Sequence, residues 1–507
     1  MKTNQRKAGA ILTYIHIILN NTIALIYTPF ALRMLGQSQY GLFGTASSFT
    51  NYLSLLSLGI GGAYIRWNAK YRAANDEEGE KRLNGMYFTM FSIIAALALI
   101  AGAVLLVASK FVFAKSFTGS ELKDLQYIIL MNIVNTAMTL FFTPIFANIQ
   151  AYEHFLILKI VPIISVVITP IGNILILLAG GRAVLLTLFS VILSTINLIV
   201  YFIYAKRRLH MKFIFKGFEK KVFKEILVFS SFLFFGTITD LLTDSTDNII
   251  LGAVCGTTAV AIYTVGHSFK NYFIQFSTAV SGVFAPKVNQ LVAQDDDNTV
   301  LTELMTRIGR IQFYIVSLIM IGYVAVGRPF VCIWAGDNYD SAYWIGLFLL
   351  AGAYVPLFQN VGIEIQKAKN KHKVRSVVYL AVAIFNIILT IPCSILWEGV
   401  GAALATFISC LIGNVIFMNV YYHKGIGLNM GYFWKEIVKT IPSFIPAIIV
   451  GILVNVFLPI YQIKWLLVAI LIICAVYLVS VYFLSMNTYE KDLLAKPIRK
   501  MFSKIRK

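Results

Sequence analysis

Five ionisable side chains stand inside segments that are otherwise apolar. Asp240, Asp244 and Asp247 are spaced i, i+4 and i+7, which places them on one face of a helix. Twenty residues after Asp247, His267 and Lys270 share a helix face at a spacing of three. A charge at the centre of a membrane helix costs roughly 2.5–3.5 kcal/mol, so such side chains normally face a cavity or a partner helix. The pattern predicts either a salt-bridged lock or an ion site, with the aspartates as ion-coupling candidates.

Two arginines and two amides form a second set of candidates. Arg33 and Arg66 lie at the ends of apolar segments, where an arginine either snorkels to the membrane surface or holds a phosphate with its planar fork. Asn20 and Asn51 lie within such segments, where amides commonly form hydrogen bonds between helices. The predicted substrate-binding residues are therefore Arg33, Arg66, Lys270, His267, Asn20 and Asn51.

The elements that carry these residues are membrane helices. The chain has 507 residues, of which 58% are hydrophobic and 13% charged, and its mean hydropathy is +0.77. A soluble protein has about 25% charged residues, so a water-soluble globule is excluded. The apolar residues run in continuous blocks such as 93–107, which excludes an outer-membrane barrel of alternating strands. The five cysteines lack metal-ligand spacing, and neither a metal nor a cofactor is expected.

The apolar stretches predict an all-α polytopic protein of about fourteen spans, because about 20 apolar residues cross a bilayer. The predicted spans are 8–32, 41–65, 85–109, 125–150, 156–179, 183–205, 226–253, 258–285, 309–332, 342–366, 376–397, 400–422, 437–458 and 463–485.

The basic residues orient these spans. With both termini in the cytoplasm, 35 of the 43 Lys and Arg residues fall on the cytoplasmic side and 7 on the other. Such an asymmetry is the positive-inside rule, so the net charge of +20 reflects topology and does not indicate nucleic acid. The longest connections, near 206–225 and 286–308, are too short for a folded catalytic domain. Any function must therefore reside in the helix bundle.

A weak internal repeat predicts two lobes. Phe49-Thr-Asn51-Tyr52 in the second span is similar to Phe269-Lys270-Asn271-Tyr272 in the eighth. Six spans return the chain to the same side, so the two copies are parallel repeats about an axis along the membrane normal. The predicted organisation is a lobe at 1–210, a second lobe at 211–425, and two extra spans with a basic cytoplasmic tail at 426–507.

Several motifs resemble those of the Wzx-type oligosaccharide flippases, which belong to the multidrug/oligosaccharidyl-lipid/polysaccharide (MOP) exporter superfamily. The likeness covers essentially the whole chain. It rests on the segments Tyr27-Thr-Pro-Phe-Ala-Leu-Arg33-Met-Leu-Gly36-Gln-Ser-Gln-Tyr40-Gly41, Leu58-Gly-Ile-Gly-Gly-Ala-Tyr-Ile-Arg66, Thr246-Asp247-Asn-Ile-Ile-Leu-Gly252 and Ile365-Gln-Lys-Ala-Lys-Asn-Lys-His-Lys373.

The resemblance implies a flippase and not an enzyme. Its cargo would be an undecaprenyl-diphosphate-linked oligosaccharide, moved by alternating access from the cytoplasmic to the outer leaflet of a bacterial inner membrane. The product would be a surface polysaccharide such as the O-antigen of lipopolysaccharide. The implied partners are membrane lipids and the polymerase and chain-length proteins of the pathway. Family members line the cavity with basic side chains; Arg33 and Arg66 lie within matched motifs, whereas Lys270 is inferred from its depth in the span.

Two other functions stay open at this stage. A cation-coupled small-molecule antiporter of the same superfamily would favour a compact, acidic and aromatic cavity. A membrane polysaccharide polymerase would need a sizeable outer loop with catalytic residues, and the predicted outer loops are short.

Overall fold

The computed structural model describes residues 2–57, 60–218, 220–281, 285–294, 297–369 and 371–493. These residues form helices and short connections, and no strand occurs among them. The chain divides into two compact units, residues 1–264 and 265–507. The lobe boundaries expected from the repeat stay a prediction.

The first unit contains seven helices and the start of an eighth. Between α1 and α2 the chain makes a short 3-10 turn at Tyr52–Ser57. The helices are α1 (Lys2–Asn51), α2 (Ile60–Ala73), α3 (Glu77–Val112), α4 (Gly119–Ala151), α5 (Phe155–Leu178), α6 (Ala183–Arg208), α7 (Lys220–Cys255) and α8 (Thr257–Ser281).

The second unit begins within α8 and ends in two long apolar helices. Between α13 and α15 the chain passes through two π-helical turns and the single helical turn α14. The helices are α9 (Ala285–Gln294), α10 (Asn298–Ala335), α11 (Ser341–Phe358), α12 (Asn360–Ala368), α13 (His372–Cys410), α14 (Met418–Tyr421), α15 (Met430–Val438), α16 (Ile445–Phe457) and α17 (Ile463–Leu484).

Two of the helices contain a sharp break between predicted spans. In α1 the break is at Gly36, whose φ of 73° is easily adopted without a Cβ. In α13 it is at Trp397 and Glu398, where Glu398 has a φ of 48°. Each break falls between two spans predicted from hydropathy, at 32–41 and at 397–400. The chain therefore turns where the apolar pattern is interrupted.

The helices are long and apolar enough to cross a membrane. Ten stretches of the described residues meet this criterion, and two of them, Ile11–Ala73 and Lys373–Ile426, contain 63 and 54 residues. Either is long enough for two crossings of a hydrocarbon core of about 30 Å. The all-α polytopic class is thus confirmed, whereas the count of fourteen stays a prediction.

The outer faces of these helices carry apolar side chains. On α16 and α17, Val456, Phe457, Leu471 and Phe483 are each more than two-thirds exposed. A soluble protein rarely presents so continuous an apolar surface, because each exposed side chain would cost free energy in water. These faces are suited to lipid.

A buried ion pair fastens the segment after α17 to α10. Arg310 is 6% exposed and Glu490 2% exposed. The guanidinium donates from Nε to Oε1 of Glu490 at 2.7 Å and from Nη2 to Oε2 at 3.1 Å. Its remaining hydrogen bonds go to the hydroxyl of Tyr314 at 3.0 Å and to the carbonyls of Glu436 and Ser485 at 3.0 and 2.9 Å. The guanidinium is therefore enclosed within the second unit, and all three of its nitrogens donate hydrogen bonds.

Candidate functional site

Asp247 is the acidic candidate that the structure buries. It is 1% exposed, and its Oδ2 accepts a hydrogen bond from the hydroxyl of Tyr263 on α8 at 2.5 Å. Asp244 is exposed on the same helix, and the side chain of Asp240 lies outside the described residues.

The neighbours of Asp247 on α7 are tied to the first helix. Asn248 donates from Nδ2 to the hydroxyl of Ser48 at 3.0 Å, and Thr246 shares a hydrogen bond of 2.6 Å with the hydroxyl of Tyr52. The motif Thr246-Asp247-Asn248 thus contacts α1, the turn after it and α8. The partner of the buried carboxylate, Tyr263, lies sixteen residues away, and sequence spacing alone did not identify it.

Polar contacts with α4 and α8 hold the residues that follow the break in α1. The hydroxyl of Ser38 donates to Glu121 on α4, and Thr257 on α8 donates to the same carboxylate oxygen at 2.9 Å. Gln39 donates from Nε2 to Asp124 at 3.0 Å. These contacts fix the position of the segment that begins five residues after Arg33. The side chain of Arg33 itself is exposed.

The remaining predicted substrate residues divide by exposure. Arg66 on α2 is exposed, and so is Asn51 at the end of α1. In the second unit, Lys270 is 8% exposed and His267 is half-buried, with its Nδ1 hydrogen bonded to Nδ2 of Asn271 at 3.3 Å. The two arginines are thus accessible to an anionic group, whereas Lys270 is an enclosed amine.

Asn20 lines a pocket between α1 and α5 that has a volume of about 310 Å³ and carries both polar and apolar side chains. We call this pocket the amide pocket and define it by the polar side chains that line it, namely Asn20, Tyr27, Ser165, Thr169 and Asn173. Ser165 accepts a hydrogen bond from Asn197 on α6 at 2.8 Å. The pocket is therefore built by two helices of the first unit, and α6 supports one of its side chains.

Close helix packing positions the α5 side of the amide pocket. At Gly172 an added Cβ would lie 2.2 Å from the ring of Phe189 on α6, so the absence of a side chain lets the two helices approach. Ser165, Thr169 and Asn173 are spaced four residues apart, which puts them on one face of α5. This spacing was a readable signal, although sequence reasoning selected only Asn20 from the pocket.

A second polar pocket, of about 280 Å³, lies beside the start of α3. Its carboxylate Glu80 already accepts hydrogen bonds from Asn68 at 3.0 Å and from the hydroxyl of Tyr152 at 2.7 Å. Burial and this bond to Glu80 raise the pKa of Tyr152 to about 12. Since Lys81 and Lys212 also line it, the pocket contains charges of both signs. It is less suited to a neutral ligand than the amide pocket.

The fold is similar to the folds of a solved flippase and a solved transporter. The chain is similar to a solved structure of the lipid II flippase MurJ in an inward closed conformation, with a TM-score of 0.71 and 16% identity over 96% of this chain and 99% of that chain. It is also similar to an inward-facing multidrug resistance MATE family transporter of the MOP superfamily, with a TM-score of 0.62 and 12% identity over 83% of this chain and 99% of that chain. At such identities the likeness shows the fold.

The chain belongs to the polysaccharide biosynthesis protein family, whose model matches residues 7–292. A relative in Bacillus subtilis (strain 168), the uncharacterized membrane protein EpsK, is 22% identical over 95% of this chain and 96% of that protein. Together with the fold, the family match confirms the expected resemblance to the MOP superfamily. The chain is thus a multi-pass membrane protein of this family, and the solved structures that it resembles are a flippase and a transporter, not enzymes.

Proposed function

We propose that this protein is a flippase for an undecaprenyl-diphosphate-linked oligosaccharide. It moves the cargo from the cytoplasmic to the outer leaflet of a bacterial inner membrane by alternating access, with both termini in the cytoplasm. The observation that carries the proposal is the combination of a polysaccharide biosynthesis family with a fold similar to that of a lipid II flippase. Polymerase and chain-length proteins then use the translocated unit to make a surface polysaccharide such as an O-antigen.

The exposed arginines suit the charged part of this cargo. Arg33 and Arg66 are accessible, and an arginine binds phosphate through two parallel hydrogen bonds. Lys270 supplies a third positive charge that is largely shielded from solvent. Asn51 and His267 are proposed as neutral contacts of the cargo.

The membrane potential favours the proposed direction. Moving a negative charge outward across an inside-negative membrane releases about 2.3 kcal/mol per charge per 100 mV. An ion gradient would then assist transport without supplying all of its driving force. Asp247 is the proposed coupling residue, because its carboxylate is buried and accepts a hydrogen bond from the hydroxyl of Tyr263. Asp240 and Asp244 are proposed as further ion contacts on the same helix.

The test is transport of undecaprenyl-diphosphate-linked oligosaccharide into the outer leaflet of proteoliposomes, read by exposure of the sugar to an external glycosidase. We expect Arg33→Gln and Arg66→Gln each to slow transport by about tenfold or more, since a hydrogen bond to a charged group contributes about 1.5–3 kcal/mol. Lys110→Gln, an exposed cation at the end of α3, is the control and should leave the rate unchanged. Equal rates for all three variants would contradict the proposed role of the arginines.

The coupling role is tested in the same vesicles with an imposed proton or sodium gradient. We expect Asp247→Asn to lose the response to the gradient while keeping the response to the membrane potential. Asp337→Asn, at an exposed position just after α10, is the control and should keep the wild-type response. If Asp247→Asn keeps the wild-type dependence on the ion gradient, Asp247 is not the coupling residue.

The small-molecule antiporter is the second candidate, because the fold is also similar to a multidrug transporter. It predicts binding of lipophilic cations in place of diphosphate lipids. The exposed cations Arg33 and Arg66 favour an anionic cargo over a lipophilic cation. Binding of tetraphenylphosphonium without binding of undecaprenyl diphosphate would reverse this preference.

A further inference from the structure

The amide pocket brings together several uncharged hydrogen-bonding groups within a membrane helix pair. Amides, hydroxyls and one phenol line it, and its remaining walls are apolar. A polar side chain that faced hydrocarbon without a partner would cost free energy. Asn20, Tyr27 and Asn173 therefore require a polar occupant, either water or a ligand.

One of these groups has unmet hydrogen-bonding capacity. Asn173 is 8% exposed, and its Oδ1 has no hydrogen-bond partner among the described residues. Tyr27 lines the same pocket from α1. Leaving a buried acceptor unsatisfied costs about 1–3 kcal/mol. A ligand hydroxyl that donates to this oxygen would recover that cost on a small movement of the side chain.

The chemistry of the lining selects the kind of ligand. An uncharged site gives little preference to a phosphate or a cation, whereas amide and hydroxyl groups both donate and accept, as sugar hydroxyls do. The ring of Tyr27 and the apolar walls suit the C–H face of a pyranose. A volume of about 310 Å³ lies at the lower end for ligand pockets, which suits one or two sugar residues and not a whole oligosaccharide.

We propose that the amide pocket binds a neutral sugar residue of the lipid-linked cargo. This inference rests on the proposed flippase function and adds a subsite that recognises the glycan separately from the diphosphate. The geometry of α1 supports this separation of the sugar site from the diphosphate site. Tyr27 and Arg33 lie on the stretch of α1 before the break at Gly36, six residues and therefore about 9 Å apart along the axis. One helix thus carries both the sugar site and a phosphate-binding arginine, less than two turns apart along its axis.

The experiment compares two probes on the purified full-length protein in detergent. One is undecaprenyl diphosphate, and the other is the same lipid carrying a single N-acetylhexosamine. We expect the wild-type protein to bind the sugar-bearing lipid more tightly. In Asn173→Leu the preference should fall by about tenfold, because one hydrogen bond to the sugar is lost. Affinity for the bare lipid should stay within about twofold, because the arginines are unchanged.

A second pair of variants guards against indirect effects on folding. Ser165→Ala removes a hydroxyl from the pocket, and Ser92→Ala removes one from α3; each hydroxyl donates to the carbonyl four residues earlier, at 3.1 and 2.7 Å. We expect Ser165→Ala to reduce the sugar preference and Ser92→Ala to leave it unchanged. Equal effects of these two, or an equal loss of both lipids in Asn173→Leu, would overturn the sugar subsite.

The outcomes for the wild-type protein separate this inference from the proposed function. Tight binding of both lipids with no preference for the sugar overturns the subsite and leaves the flippase standing. Binding of neither lipid, with binding of tetraphenylphosphonium, overturns the flippase itself. A sugar preference that persists in Asn173→Leu and in Ser165→Ala places glycan recognition elsewhere and also overturns the subsite.

Discussion

The buried ion pair between Arg310 and Glu490 permits a quantitative prediction of stability. Glu490→Gln keeps the size of the side chain and removes its charge. The guanidinium of Arg310 then stays enclosed, at 6% exposure, without the carboxylate that receives two of its hydrogen bonds. Removing one partner of a buried pair costs about 3–5 kcal/mol, because the other charge is left uncompensated.

The surroundings place the expected loss near the lower limit. The carboxylate of Glu436 lies 3.6 Å from Nη1 of Arg310, and two backbone carbonyls keep their hydrogen bonds to the guanidinium. The carboxylate is negative and the two carbonyl oxygens are partly negative, so together they replace part of the attraction that Arg310 loses. We therefore expect Glu490→Gln to lower the free energy of unfolding by about 3 kcal/mol.

An exposed pair on the same helix is the matched control. Arg328, also on α10, forms two hydrogen bonds with Asp340, at 2.7 and 2.9 Å, but the two side chains are 52% and 36% exposed. Solvent screens such a pair, so Asp340→Asn should cost at most about 1 kcal/mol. Both variants are measured by reversible unfolding in mixed micelles. Similar losses, or a larger loss for Asp340→Asn, would refute the argument that burial sets the cost.

Two further predictions concern close contacts within the first unit. An added Cβ at Gly41 would lie 1.9 Å from the carbonyl oxygen of Thr257, so Gly41→Ala should lower the unfolding free energy by about 1–3 kcal/mol. Gly119 has open space around it, so Gly119→Ala should leave the unfolding free energy unchanged. An equal loss in Gly119→Ala would contradict the steric explanation. The hydroxyl of Tyr64 is hydrogen bonded to two buried amide side chains, at 2.5 and 2.8 Å. Tyr64→Phe should therefore lower the free energy of unfolding by about 1–3 kcal/mol, measured by thermal unfolding. Tyr127 is exposed, so Tyr127→Phe should change it by no more than about 0.5 kcal/mol. Equal midpoints for the two tyrosine variants would argue against the hydrogen-bond network.

The apolar pattern predicted the helical elements because membrane insertion depends mainly on hydropathy summed over a span. It also located the breaks in α1 and α13, where Gly36 and Glu398 have positive φ. The role of Arg310 could not be predicted in this way. The charge count treats it as a basic residue at the edge of a span, and its partner Glu490 lies 180 residues away. A pair at that separation exists only after folding brings the two segments together.

The acidic face on α7 shows a different limit of sequence spacing. Asp244 and Asp247 differ by three residues and hence by about 60° around the helix axis. That angle is small enough to describe one face, yet large enough to cross from a buried to an exposed surface, as the structure shows for these two residues. Helical periodicity gives the direction of a side chain, whereas burial depends on the helices packed against it.

The row of polar side chains on α5, formed by Ser165, Thr169 and Asn173, explains why the amide pocket is hard to recognise in a sequence. A hydroxyl in a membrane helix can donate to the carbonyl four residues earlier, as Ser165 does to Val161, and such a residue then needs no other partner. A row of hydroxyls is therefore weak grounds for a site. Asn173 is different, because an amide has more donors and acceptors than its own helix can satisfy. Its contact with Tyr27 on α1 and its unpaired oxygen make this row of side chains a candidate binding surface. Only the packing of α1 against α5 supplies that information.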